Sequence, residues 1–185
     1  MSFNSKPEFQ PYFGYCRILE VSPALALVSP FCGNGTIIEY LQKRPDLNRF
    51  HLVITIAPPD LSEPFIFRQL QQVASGLKYL HDHDVVHADL SGNNVLIDDE
   101  GNARLSDFGR ARLLDAEGFI TSLFAGSVDF VAPELFTQVE TEGRADNSDF
   151  STRSDVYAFA MLTFQVRYQR DLLSRNVMLS TFVKL

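Results

Sequence analysis

Cysteine and long apolar runs are scarce in this chain of 185 residues. Cys16 and Cys32 are too few and too far apart for a disulfide framework or a CxxC metal site. The longest apolar run, Val156 to Leu162, falls far short of the ~20 residues that cross a membrane. The start, Met1-Ser2-Phe3-Asn4-Ser5-Lys6-Pro7-Glu8, holds no apolar signal core. These absences set the expectation of a cytoplasmic or otherwise intracellular chain without a membrane partner. Basic charge is also short. Lys and Arg number 16 against 23 Asp and Glu, a formal net charge of −7 with no basic stripe, so no nucleic-acid partner is expected. No internal repeat or low-complexity tract is visible.

What is present is the composition of a globular domain, 45% apolar and 21% charged. A chain of this length buries about 70% of the surface its unfolded form exposes, enough for one core. Within it, chemistry-bearing residues cluster between His87-Ala88-Asp89-Leu90-Ser91-Gly92-Asn93-Asn94 and Asp107-Phe108-Gly109, with Ala132-Pro133-Glu134 downstream. Asp89 offers a carboxylate able to accept a hydrogen bond from a hydroxyl. Asn94 and Asp107 add oxygens of the kind that hard Mg²⁺ prefers. Val95-Leu96-Ile97, the polar turn Asp98-Asp99-Glu100-Gly101, and Asn102-Ala103-Arg104-Leu105 form a hairpin pattern that brings Asn94 and Asp107 together. The acidic residues of that turn, like Glu140-Thr141-Glu142, are expected to be solvated.

Upstream, Phe67, Leu70, Val73, Ala74, Leu77 and Leu80 recur at helical spacing and end in Tyr79-Leu80-His81. Downstream stand Gly126-Ser127-Val128-Asp129-Phe130-Val131 before Ala132, and Ser154-Asp155-Val156-Tyr157-Ala158-Phe159-Ala160. Apolar residues lie all round the latter segment, which predicts a buried core helix. A lone Asp-Phe-Gly is common in loops, but five matches in order are not. Together they resemble the catalytic loop, metal-binding loop, activation segment and central helix of the eukaryotic protein kinases. The tyrosine-kinase-like serine/threonine group is the nearest pattern, on Leu27-Val28-Ser29-Pro30 and Gly126-Ser127.

The resemblance implies an α+β protein-kinase-like fold, mainly an α-helical large lobe with a truncated β small lobe. It divides the chain at about 1–31 (small-lobe remnant and hinge), about 32–165 (front half of the large lobe) and 166–185 (a divergent tail). It implies transfer of the γ-phosphate of ATP, with Mg²⁺, to a hydroxyl of a protein substrate. Asp89 would be catalytic, and Asn94 and Asp107 would hold metal. Ser29 would be the gatekeeper, the backbone around Pro30 and Cys32 would meet adenine, and Leu96 would lie under the purine. His87, Phe108, Gly109, Ser127, Glu134 and Asp155 would be structural or belong to the activation segment.

The sequence also departs from the pattern. The family's glycine-rich loop, strand lysine and helix glutamate have no match. Lys6 stands too close to Ser29 for a strand, a helix and another strand at ~3.3 and ~1.5 Å per residue. Gly33-Asn34-Gly35 follows the hinge and is not a phosphate loop. Ala88 stands where the loop arginine is usual, and Ser91 and Asn93 where a lysine or arginine would meet the transferred phosphate. Glu134 would be a buried carboxylate lacking its usual arginine, which is costly. Truncation at both ends is expected, together with weak activity, and the alternative is a pseudokinase fragment that binds proteins. His81, His83 and His87 match no common zinc spacing; His81 and His83 are expected to close a helix, and Thr121 and Ser122 are exposed phosphorylation candidates.

Overall fold

The computed structural model describes residues 6–17, 25–45, 65–113, 128–137 and 150–168. The periodic segment forms helix α2, Phe65–His81, after a short α1, Ile37–Gln42. On α2 the buried stripe is Ile66, Gln69, Leu70, Val73, Leu77 and Leu80. Phe67 and Ala74, expected on that face, are exposed instead. At 100° per residue they sit roughly 100–120° round from Val73, beyond the edge of the stripe.

The stripe rests on an antiparallel hairpin of β4, Val95–Ile97, and β5, Ala103–Leu105, paired Val95 with Leu105, Leu96 with Arg104 and Ile97 with Ala103. Alternation decides the faces: Val95, Ile97, Ala103 and Leu105 are buried, while Leu96 and Arg104 are half-buried on the other side. Gly76 lets the helix approach, since a Cβ there would come within 2.7 Å of Leu105 Cδ1. Polar ties lock the register. Gln69 donates to the carbonyl of Gly101, and the amide of Ala103 donates to Gln72 Oε1 at 2.8 Å.

Asp98 corrects the expectation of a solvated turn, because it is buried. Its carboxylate accepts from the Asn102 amide at 2.7 Å and pairs with Arg104 Nη2 at 2.7 Å. Burial alone would raise the Asp98 carboxyl, but the Asn102 and Arg104 hydrogen bonds outweigh it and hold it below its ordinary 3.8. Arg104 Nη1 also donates to the carbonyl of Pro7 at 3.0 Å. Residues 8–10 thus add an edge to β5: the Leu105 amide donates to Glu8 and the Gln10 amide to Leu105, at 2.8 and 2.9 Å. Phe9, fully buried, plugs the core beside Tyr79 and Phe108.

Two further two-stranded antiparallel sheets complete the described strands. β1, Gly14–Arg17, pairs with β2, Leu25–Val28, and β3, Val85–Val86, pairs with β6, Arg112–Leu113. After α3, Glu134–Thr137, comes α4, Thr152–Tyr168, packed against α2 and the 85–94 loop. α4 is not buried all round as its composition predicts. Ser154, Asp155, Ala158, Leu162 and Val166 form the inward stripe, and Val156 is 58% exposed. A helix supported along one side leaves its opposite residues in solvent.

Candidate active site

The loop from His87 to Asn94 is held from below by α4. Asp155 is 1% exposed in the first turn of that helix. Its Oδ2 accepts from the His87 amide and faces His81 Nε2, both at 2.8 Å, while Oδ1 accepts from the Ala88 amide at 3.0 Å. Ala88 takes a left-handed φ of 63°, which costs about 1–2 kcal/mol for a residue with a Cβ. Two backbone donors fixed on one buried carboxylate hold it there.

His87 is fully buried and joins the two loops. A carbonyl only accepts, so Nε2–H donates to Ser106 O at 3.2 Å, and Nδ1 receives the Asp89 amide at 3.4 Å. Burial pushes the imidazole below its ordinary 6.5 even though Asp155, Asp89 and Asp107 pull the other way. The ring is therefore neutral near pH 7. It packs against Phe108, 5.3 Å between ring centres.

Above this base the candidate chemical groups converge. Asn94 Nδ2 donates to Asp89 O at 2.7 Å and to Asp89 Oδ2 at 3.2 Å. The amide and hydroxyl of Ser106 both donate to the Asn94 carbonyl, at 3.0 and 3.1 Å. The hairpin thus brings the residue before Asp107 onto Asn94. Asp107 is exposed, in left-handed backbone (φ 57°, ψ 69°), and its Oδ1 accepts from the Gly109 amide at 3.3 Å. That turn sends Phe108 inward and leaves Gly109 exposed. Because Asn94 spends its amide N–H groups on Asp89, its side-chain oxygen faces away from that residue. One amide oxygen and one carboxylate fit Mg²⁺, which keeps waters and takes further ligands from phosphates.

The segment after β2 runs along β4. Ile97 N donates to the Gly35 carbonyl at 2.9 Å, Thr36 bridges Leu96, and Asn34 Nδ2 donates to the Asp98 carbonyl at 2.7 Å. Gly35, with φ 74°, makes the turn into α1, whose capping box pairs Thr36 with Glu39. Leu96 is therefore beside the 30–36 segment. Ser29 is exposed, and Pro30 and Cys32 are half-buried. Gln10, 3% exposed, was not foreseen here. Its Nε2 donates to the Pro30 carbonyl at 2.6 Å and its Oε1 accepts from Cys32 Sγ at 3.3 Å. Burial raises the Cys32 thiol, which makes it a poor nucleophile.

Arg110 was also missed: its Nη1 lies 3.3 Å from Asp89 Oδ1, with the two side chains 13% and 23% exposed. Its signal was a cation directly after the Asp-Phe-Gly triplet. Beside this pair a cavity is walled by Leu90, Phe130, Ala132, Leu135, Phe150 and Ala158. Glu134 corrects an expectation, since it is exposed and carries no burial cost. Ser127, Thr121 and Ser122 lie outside the described residues.

Known proteins resemble this chain in sequence. The family model for protein tyrosine and serine/threonine kinases matches residues 2–170. The L-type lectin-domain containing receptor kinase V.4 of Arabidopsis thaliana is 38% identical over 169 residues, covering 88% of this chain and 22% of that protein. The L-type lectin-domain containing receptor kinase S.7 of Oryza sativa subsp. japonica is 34% identical over 182 residues, 96% of this chain and 23% of its own length. The chain thus spans about a fifth of the length of the curated relatives it matches. These relatives overturn the expectation of a cytoplasmic chain, because they are receptor kinases by name. Among the described residues no helix is long and apolar enough to cross a membrane. The family match extends over most of the sequence and includes both loops, so the chain belongs to the protein tyrosine and serine/threonine kinase family.

Proposed function

We propose that this chain binds Mg-ATP and transfers its γ-phosphate to a serine or threonine hydroxyl of a protein. The observation that carries the reading is the joining of Asp89, Asn94 and the Asp107 loop through Asn94 Nδ2 and Ser106, on a base fixed by Asp155. Members of this family use ATP and Mg²⁺ and act on proteins. Asp89 would orient the hydroxyl and receive its proton as the oxygen–phosphorus bond forms. The bond from the γ-phosphorus to the bridging oxygen breaks, and ADP leaves with the electron pair. Asn94 and Asp107 would hold Mg²⁺, which when bound screens the phosphate charges. Leu96 and the Ser29–Cys32 backbone would border adenine, with residues 1–31 serving as small-lobe remnant and hinge and 32–165 as the front of the large lobe.

A second reading, a pseudokinase that binds protein without turnover, is supported by Ala88, Ser91 and Asn93, which leave the 87–94 loop without a Lys or Arg. Phosphate transfer from labelled ATP to a generic protein substrate separates the two. The enzyme reading expects transfer that falls by at least ~10²-fold in Asp89→Asn, the scale on which a positioned acid–base group contributes. A cooperatively folded chain with no transfer, or transfer indifferent to Asp89→Asn, favours the binding module.

A further inference from the structure

We infer that Arg110 is the cation that stabilises the phosphoryl group on its way to the hydroxyl at Asp89. The inference rests on the phosphotransfer reading above and assigns it a residue that the sequence pattern does not supply. From His87 to Ala103 the chain has no Lys or Arg, so the loop that orients the acceptor offers no positive charge of its own. His87 is fully buried between α4 and the 106–108 turn, its ring bonded to the Ser106 carbonyl. The next cation along, Arg104, is engaged by Asp98 at 2.7 Å. Arg110 follows, and it reaches 3.3 Å from Asp89 Oδ1.

Its placement is built from both loops. Arg110 ends the short turn Phe108–Arg110 that begins at Asp107, whose carboxylate caps it through the Gly109 amide. The guanidinium is therefore placed by both loops: Asp107 sets its base and Asp89 its tip. At 87% removal from solvent its charge acts in a medium that screens it less than water. Five N–H donors in a planar fork can serve a carboxylate and a phosphoryl oxygen together. At 3.3 Å the contact to Asp89 is longer than a tight charge-assisted bond, usually ~2.7–2.9 Å, and leaves the carboxylate able to take a hydroxyl proton. In the transfer, the moving group carries its negative charge spread over three equatorial oxygens while the acceptor oxygen is still held by Asp89. A cation beside that carboxylate is close to those oxygens as the group arrives.

The test compares the full chain with Arg110→Leu and Arg110→Lys, each first shown by thermal unfolding to fold cooperatively. Calorimetry measures Mg-ATP, then Mg-ADP with aluminium fluoride, a mimic of the group in flight, and labelled ATP measures transfer. Mg-ATP affinity is expected to stay within about threefold in all three proteins, because Arg110 acts on the transition state rather than on the bound nucleotide. Arg110→Leu is expected to lose ~10²-fold in both transfer rate and affinity for the fluoride complex, with Arg110→Lys in between. Unchanged fluoride affinity and rate in Arg110→Leu would overturn the inference and leave the Mg-ATP site standing. Faster transfer by Arg110→Leu would also overturn it, making the Asp89 contact a restraint. Failure of the folded parent to bind Mg-ATP would overturn both this and the phosphotransfer reading.

Discussion

The loop that carries Asp89 and the hairpin β1–β2 are held by opposite means. Around Asp89, buried side chains bond backbone far away in sequence, Asp155 to His87 and Ala88 and His87 to Ser106, and half-buried Asn94 closes the loop locally onto Asp89. On β1–β2, Tyr15 and Leu27 are 73% and 69% exposed, and the flanking Phe13 and Phe31 are 75% and 91% exposed. Among the described residues, the segments that flank that hairpin are tied to the rest through Gln10, Asn34 and the Thr36–Leu96 bridge. Among the described residues, the Asp89 loop is thus held by many independent constraints and the proposed adenine border by few. Local stability follows buried contacts and protected hydrogen bonds, so the two regions should open with different free energies.

Removing the pin tests the contrast most severely. Asp155→Ala leaves two buried amides and His81 without their acceptor, and urea unfolding should show a loss of ~3–5 kcal/mol, the scale for breaking a buried charge network. A loss like that of a surface substitution would mean that Asp155 does not hold the loop. Gly92→Ala comes next. Its Cβ would lie 2.5 Å from Ile38 Cγ1 and 2.6 Å from Gln165 Oε1, an overpacking that should cost ~1–3 kcal/mol in the same assay.

Acid supplies a graded probe of the same base. The folded His87 titrates below 6.5 because it is buried, so between that depressed value and 6.5 the unfolded chain binds the extra proton. Its contribution is fully present above pH 6.5 and is lost as pH falls from there toward the folded value. Thermal unfolding at pH 7.5 and 5.5 should show this decline, and His87→Gln, which does not titrate in this range, should flatten it. At the weak end, Tyr15→Ser and Leu27→Ser should each change stability by less than ~0.5 kcal/mol, as exposed positions usually do. A change above 1–2 kcal/mol would show that β1–β2 is supported as firmly as the loop.

Much of this was legible in the sequence where it depends on local pattern. The β4–β5 hairpin follows from apolar triplets flanking Asp98-Asp99-Glu100-Gly101, and α2 follows from its spacing and ends at His81 as its histidines suggest. Long-range polar pairing was not legible. Nothing in the spacing of Gln10 and Pro30 or of Asp155 and His87 announces their bonds, because each depends on how separate elements stack. Helix faces failed in the same way. Composition gave α4 apolar residues on every side, and only packing decides that Ala158, Leu162 and Val166 point inward while Val156 does not.

The most direct measurement is calorimetry of Mg-ATP binding to the folded chain beside Asp107→Asn. Saturable, metal-dependent binding that Asp107→Asn weakens at least tenfold is the expected result, because the exposed carboxylate contributes one of the two protein oxygens proposed for Mg²⁺. Absence of binding, or equal binding without Mg²⁺ and in Asp107→Asn, would contradict a nucleotide site built on these loops.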